Sequence, residues 1–245
     1  MRGYLIRIGV DQAFGGWNAP MNPETNEFVY VPIPESRPMP TELATPYTLV
    51  LAALGRFEQK HPLATPRQVH LPRNLVPANM HLDPDFQHLT YGDSGIRRGK
   101  GLTDLGPDDV VVFYSGLKPV VACAHRLVYA LVGLYRVAEA VRVHSVHPPR
   151  WSENAHTRCV DRESSDVILR AKPGLSGRLK QCIPIGEFRD RAYRVERGIL
   201  ADCGGLSCRD GYLQRSAVLP TLLDPESFMQ WFESQAPELV TSNNP

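Results

Sequence analysis

Two runs of β-branched and aromatic residues in the middle of the chain most constrain its fold. They cover residues 109–115, which contain three consecutive valines, and residues 127–137. Such composition favours buried strands, although periodicity does not exclude a helix for the second run. The second run is interrupted by Arg136 and falls short of the roughly 20 apolar residues that cross a bilayer. We therefore expect a buried sheet and no membrane span.

Shorter patterns on either side of these runs predict a mixture of strands and helices. Strands are predicted at residues 4–8, 28–33, 167–171 and 193–195. Amphipathic spacing and the closing pair His61-Pro62 predict a helix at residues 48–60. A capping carboxylate, Asp224, precedes Pro225 and predicts a last helix that ends near Ser234. The predicted fold class is α+β, with a mixed, mainly antiparallel sheet or partly closed barrel and a few flanking helices.

Length and charge predict one domain. The 245 residues, 42% of them hydrophobic, suffice for a single core, and we assign residues 1–236 to one α+β domain. The chain after Pro220 holds acidic residues and no Lys or Arg, so residues 237–245 are predicted to form a flexible acidic tail. The net charge of +1 provides no global attraction for nucleic acid.

Cysteine usage and the first residues predict a cytoplasmic protein. Five cysteines are an odd and sparse set, which fits reduced thiols better than a disulfide framework. Arg7 and Asp11 interrupt the only segment that could serve as an export signal.

The run from His81 to Asp85 is the strongest candidate for chemistry. On extended backbone, alternation points His81, Asp83 and Asp85 to the same side, and Pro84 disfavours a helix there. An imidazole and two carboxylates can bind a divalent cation or create a general base. The alternative is an ordinary aspartate-proline turn with a surface or core histidine.

Asp11 is the second candidate, because it follows a predicted strand and precedes the pair Gly15-Gly16. A carboxylate in that position can be held rigidly beside a ligand. The alternative is an aspartate that only caps its loop. The glycine pair matches neither a dinucleotide-binding fingerprint nor a P-loop.

Two basic, glycine-containing segments are candidates for phosphate contact. Residues 92–101 include Arg97, and residues 173–180 include Ser176, Arg178 and Lys180. A solvated loop is the alternative for the first segment, and a turn between strands is the alternative for the second.

Several short motifs occur in a characteristic order. They are residues 7–11 with the glycine loop, 31–34, 81–85, 108–114, 133–137, 154–156 and 216–220. Together they resemble the third class of the nucleotide-modification-associated domain family. The resemblance implies a nucleotide or nucleic-acid context without naming a reaction, and it favours a functional role for Asp11, His81, Asp83 and Asp85. Residues 108–137 also resemble the strand pair of PUA-like barrels, which include base-reading domains.

The leading hypothesis is a protein of a base- or nucleotide-modification pathway that binds its ligand in a pocket. Asp11, His81, Asp83 and Asp85 would line that pocket as catalytic residues, with or without a divalent cation. The predicted nucleotide contacts are Trp17, Asn18, Tyr91, Arg97, Asn154, His156, Ser176, Arg178 and Lys180. One alternative is a non-catalytic reader that stacks a modified base on Trp17, Tyr91 or Trp151. The other is a scaffold subunit with no cavity near His81.

Overall fold

The two central runs form neighbouring antiparallel strands. In a computed structural model, which describes residues 1–214 and 218–244 apart from the side chains of Arg97 and Arg98, β6 spans Val110–Pro119 and β7 spans Val128–Arg142. Their register shifts between Phe113 and Tyr114. The second run is therefore a strand, and the helical alternative is wrong.

Ten further strands surround this pair in the described chain. They are β1 (Gly3–Arg7), β2 (Pro20–Met21), β3 (Ile33–Pro34), β4 (Met80–His81), β5 (Thr90–Asp93), β8 (Val167–Ala171), β9 (Gly177–Pro184), β10 (Gly186–Arg189), β11 (Ala192–Val195) and β12 (Leu239–Val240). The main sheet has the order β1-β6-β7-β8-β5, with β2 on β6, β9 on β7 and β12 on β9. β1 and β2 run parallel to β6, and the other pairs are antiparallel. Two separate ribbons, β3-β4 and β10-β11, complete the strands, and those described form no closed barrel.

Helices flank the sheet. They are α1 (Thr48–Lys60), α2 (Pro66–Val69), α3 (Ala155–Arg158), α4 (Arg197–Asp202) and α5 (Pro225–Ser234), together with short 3-10 turns. The bounds of α1 and α5 confirm the sequence prediction, and the Asp224 carboxylate accepts hydrogen bonds from the amides of Glu226 and Ser227. No helix in the described ranges is both long and apolar enough to span a bilayer. The α+β fold class and the mainly antiparallel sheet are confirmed.

Both faces of the central sheet are buried, which explains why its strands are continuously apolar. Along β6, Val111 and Phe113 belong to one hydrophobic cluster, whereas Val112 and Tyr114 belong to a second. A strand covered on both sides has no solvent-facing positions that require polar residues. The sheet is therefore the middle layer of the domain.

The predicted strand at residues 28–33 is largely wrong. Only Ile33 lies in a strand, β3, while Phe28 makes an isolated bridge to Met21. The segment between them is buried, and its backbone bonds to groups that are not part of a strand. The Tyr30 amide, for example, donates to the Asn244 side chain. Tertiary packing rather than a ladder therefore satisfies this extended backbone.

The acidic end of the chain is tied to the domain. β12 pairs with β9, and the side chain of Asn243 accepts a hydrogen bond from the Phe86 amide at 2.8 Å. Asn244 bonds to both backbone groups of Tyr30, at 2.9 and 2.7 Å. Residues 239, 240 and 242–244 thus have partners in the rest of the chain, within the segment for which the sequence predicts a flexible tail.

Candidate metal centre and pocket

Asp11, His81 and Asp83 line one pocket of about 750 Å³, and His156 joins them. The pocket lies where the loop after β1 meets β4, β5 and α3, with Tyr129 of β7 also at its wall. The scaffold alternative predicted that there would be no cavity near His81, and this pocket does not agree with that prediction. A cavity of this size is in the range that small ligands occupy.

His81, Asp83 and His156 form a compact cluster in the pocket wall. The Nε2 atoms of both histidines lie 3.9 Å from the same Asp83 oxygen, Oδ2. One donor atom from each residue lies within 4.8 Å of the others. The three donor atoms therefore converge closely enough to coordinate one metal ion after small adjustments.

The β3-β4 ribbon orients His81. Ile33 pairs with His81 across the ribbon, and the amide of Glu35 bonds to the Asn79 carbonyl. This register brings Glu35 Oε2 to 2.7 Å from His81 Nδ1. A carboxylate at that distance keeps the proton on Nδ1, so that the Nε2 of the neutral ring carries the lone pair.

The start of α3 orients His156. Asn154 caps this helix, and its side-chain oxygen accepts a hydrogen bond from the His156 amide at 2.9 Å. His156 Nδ1 lies 2.6 Å from Asp166 Oδ2, an oxygen that also accepts a hydrogen bond from Arg37 at 2.8 Å. His156 thus has a carboxylate behind its ring, as His81 does.

Hydrogen bonds from other described residues hold one oxygen of Asp83. Its Oδ1 accepts hydrogen bonds from the Gly92 amide and from Asn154 Nδ2, both at 2.8 Å. Its Oδ2 therefore faces the two histidines. Pinning one oxygen in this way favours coordination by the other oxygen alone.

Burial and charge act in opposite directions on these groups. Burial raises the pKa of Asp83, and the nearby His156 and His81 reduce that rise without cancelling it. Burial disfavours the charged form of His81, but the hydrogen bond to Glu35 and the Asp83 charge outweigh it and raise the His81 pKa. Burial also opposes ionisation of Glu35 and Asp166, yet their histidine partners lower the pKa of both carboxyls. Glu35 and Asp166 are therefore anionic supports for the two imidazoles at neutral pH.

Asp11 lines the same pocket but lies outside the three-residue cluster. Its Oδ2 forms an ion pair with Arg7 at 2.8 Å, and its Oδ1 accepts hydrogen bonds from the amides of Ala13 and Phe14. Asp11 thus caps the glycine loop, which was the alternative interpretation from the sequence. It also contributes to the pocket wall.

Asp85 points away from the cluster, although alternation predicted that it would share a side with His81 and Asp83. Its side chain, 1% exposed, contacts Arg158 at 2.6 Å and His88 at 2.9 Å. The strand ends at His81, and mutual backbone hydrogen bonds between Asp85 and Thr90 close a loop. The alternation rule does not hold here because the backbone is not a continuous strand.

The other predicted nucleotide contacts with described side chains in the first two thirds of the chain lie in three kinds of place. Asn18, Tyr91 and His156 line the pocket. Asn154 supports Asp83 from behind, whereas the Trp17 ring is buried in the core and its Nε1 donates to the Arg67 carbonyl.

The predicted phosphate contacts on β9 and the turn before it lie outside the pocket. Ser176 accepts a hydrogen bond from the Arg136 amide, and Lys180 pairs with Glu238. Arg178 is fully buried over the Phe28 ring, and burial lowers its pKa to about 10. The side chain of Arg97, the remaining candidate, lies outside the described residues.

The sequence interpretation missed the two supporting carboxylates. Glu35 belongs to a proline-rich connector, and Asp166 immediately precedes β8. Nothing in their local sequence marks them, because each contacts a histidine of another segment, at separations of 46 and 10 positions. His156 was predicted to contact a nucleotide, and the alternating pattern at residues 81–85 offered no reason to group it with Asp83.

Residues 2–206 match the family model described as Nucleotide modification associated domain 3. The chain belongs to this family. The matched region contains His81, Asp83, His156 and the two carboxylates behind the histidines. The family's description links the chain to nucleotide modification and names no reaction. Comparisons with curated proteins and with solved structures found no match, so the likeness to PUA-like barrels gains no support from them.

Proposed function

We propose that this protein is a metal-dependent enzyme that modifies a nucleotide or nucleic-acid base held in the pocket. One observation carries the proposal: His81 and His156 direct their Nε2 atoms at one oxygen of Asp83 in the pocket wall. Membership of a nucleotide-modification family supports the class of substrate. The reaction would take place where the cluster meets the cavity.

The donor atoms indicate the class of metal. Two imidazole nitrogens and one carboxylate oxygen suit zinc, iron, nickel or copper better than magnesium or calcium, which prefer oxygen ligands. Three protein ligands also leave coordination positions for water or substrate. A bound ion of this kind would supply Lewis acidity or activate a coordinated water.

The surroundings of the histidines support metal binding rather than a simple buried ion pair. Each Nδ1 contacts a carboxylate, Glu35 or Asp166, on the side away from Asp83. This arrangement selects the tautomer with a free Nε2 and fixes the orientation of the ring. In a site built only for packing, the two rings would have no need to share this orientation.

Metal titration of the purified protein tests the first part of the proposal. After treatment with a chelator, calorimetric titration should show tight binding of Zn²⁺, or of Fe²⁺ without oxygen, and weak binding of Mg²⁺. H81A and H156A should lose that binding. H70A is the matched control, because His70 is an exposed histidine that pairs with Glu58 outside the pocket. Equal metal affinity in all of these proteins would overturn the metal centre.

Mass spectrometry of nucleotides and DNA after incubation with the metal-loaded protein tests the second part. A change in the mass of a nucleoside, absent with D83N, is the expected result. Because D83N leaves the cavity in place, it should still bind the substrate. Binding that needs neither metal nor Asp83 and changes no nucleoside would favour a non-catalytic reader instead.

A further inference from the structure

Besides the cluster of His81, Asp83 and His156, uncharged polar groups line the cavity. Gln12, Asn18 and Gln214 contribute side-chain amides, and Gln12 donates to Asn18 at 3.2 Å. Asn18 is itself anchored by a hydrogen bond to the Gly116 carbonyl at 2.8 Å. Amides donate and accept hydrogen bonds, as the edges of nucleobases do. This part of the wall suits a neutral heteroaromatic ring.

Phe14 lies at the rim of the same pocket with 58% of its surface exposed. Among the described lining residues it is the one aromatic side chain with such exposure. The loop that carries it is held in place, since the Asp11 carboxylate accepts hydrogen bonds from the amides of Ala13 and Phe14 and the Phe14 carbonyl accepts one from the Asp11 amide. Gly15 continues the loop at a φ of 102°, which favours glycine.

A fixed, exposed aromatic ring at a pocket entrance is a surface that a ligand can cover. Phenylalanine binds planar rings by stacking, and this contact tolerates any base because every base has a π-face. The amides of the wall and the position of Phe14 both agree with a flat ligand that has polar edges.

We infer that the amide-lined part of the pocket takes up the base of a nucleotide and that Phe14 stacks on this base at the rim. This inference rests on the proposed function and names the part of the substrate that enters the site. The same base could come from a free nucleoside or nucleotide, or from a polynucleotide that turns one base out of its stack.

Binding measurements on the full-length, zinc-loaded protein distinguish these sources. The ligands are common 2′-deoxynucleosides and short single-stranded oligonucleotides. Comparable affinity for nucleosides and oligonucleotides would show that a free nucleoside is sufficient for binding. Binding of oligonucleotides alone would show that the base comes from a polynucleotide. No binding of any of these ligands overturns the inference.

Substitution of Phe14 tests the stacking contact. F14A should weaken base binding by about tenfold, and F14W should retain it. F188A is the matched control, since Phe188 is 61% exposed and lies outside the described pocket lining. Equal base affinity in F14A and F188A overturns the role of Phe14.

Zinc titration separates this inference from the proposed function. F14A should bind zinc as the wild type does, because Phe14 lies outside the metal cluster. If F14A loses base affinity but keeps its zinc affinity, the loss is due to the missing Phe14 ring and not to a damaged metal centre. Absence of zinc binding in the wild type would overturn the metal centre, and the base-binding comparison would still decide whether the inference about the pocket holds.

Discussion

A β-carbon at Gly92 would lie 2.4 Å from Cδ2 of His156, far inside van der Waals contact. The same atom would lie 2.6 Å from Oδ1 of Asn154, which caps the helix that carries His156. Gly92 also donates its amide to Asp83 at 2.8 Å. A glycine at this position therefore lets β5 donate a hydrogen bond to Asp83 and also lie in close contact with His156.

We expect G92A to lower metal affinity by about tenfold or more, because the added methyl group must displace His156 or Asn154. Calorimetric titration with Zn²⁺ measures the change. G55A is the matched control: a β-carbon at Gly55 meets nothing within 4 Å, and alanine favours its helix, α1. Unchanged zinc affinity in G92A would mean that the position of His156 does not govern metal binding.

The carboxylates behind the histidines should tune the metal centre without touching the ion. E35Q and D166N are each expected to reduce zinc affinity by about 10- to 100-fold, because they remove the charge that orients and activates an imidazole. E58Q provides the comparison, since Glu58 pairs with the exposed His70 at 3.2 Å outside the pocket. If all three variants bound zinc equally, Glu35 and Asp166 would have no role in the site.

The buried pair of Asp85 and Arg158 should stabilise the fold rather than perform chemistry. D85N would leave the Arg158 charge without its partner, and we expect it to lower the free energy of unfolding by about 3 kcal/mol at neutral pH. Chemical denaturation with urea measures this loss. An unfolding free energy equal to that of the wild type would contradict the structural role.

The pH dependence of the same comparison follows from the pKa of Asp85. Burial would raise this pKa, but His88 and Arg158 outweigh burial and hold it below its ordinary value of 3.8. A lowered folded-state pKa gives stability that is present above 3.8 and lost as the pH falls through the folded-state value. The difference between wild type and D85N should therefore be largest near neutrality and should shrink in acid. A difference that grew as the pH fell would contradict this assignment.

The end of the chain should be protected from exchange with solvent. Asn244 bonds to both backbone groups of Tyr30, so N244A should speed hydrogen exchange of the Tyr30 amide. Hydrogen–deuterium exchange with mass spectrometry of the peptide around Tyr30 measures this effect. T241A is a suitable comparison because Thr241 is exposed. Rapid exchange of that amide in the wild type would support a flexible tail.

Local sequence was sufficient where local physics decides the structure. The helices α1 and α5 and the strand β8 have the predicted bounds, because amphipathic spacing, a capping aspartate and β-branched residues act within a few positions. The continuous apolar runs likewise predicted a buried sheet. Prediction was poorer at residues 28–33, where the backbone bonds to a segment more than 200 residues away, as Tyr30 does with Asn244 at a separation of 214.

In the candidate site, too, local sequence predicted some contacts and only the tertiary structure decided others. The sequence alone predicted that His81 and Asp83 lie together, because an imidazole and a carboxylate two positions apart on extended backbone can meet, and the structure places them 3.9 Å apart. It could not determine that Asp85 points away, because the loop closed by Thr90 decides that. Nor could it determine that His156 joins the cluster, because the helix capped by Asn154 positions His156. Nor could it associate Glu35 and Asp166 with the histidines. Those contacts span 46 and 10 positions of the chain, and they form because folding brings a connector and a strand end behind two rings.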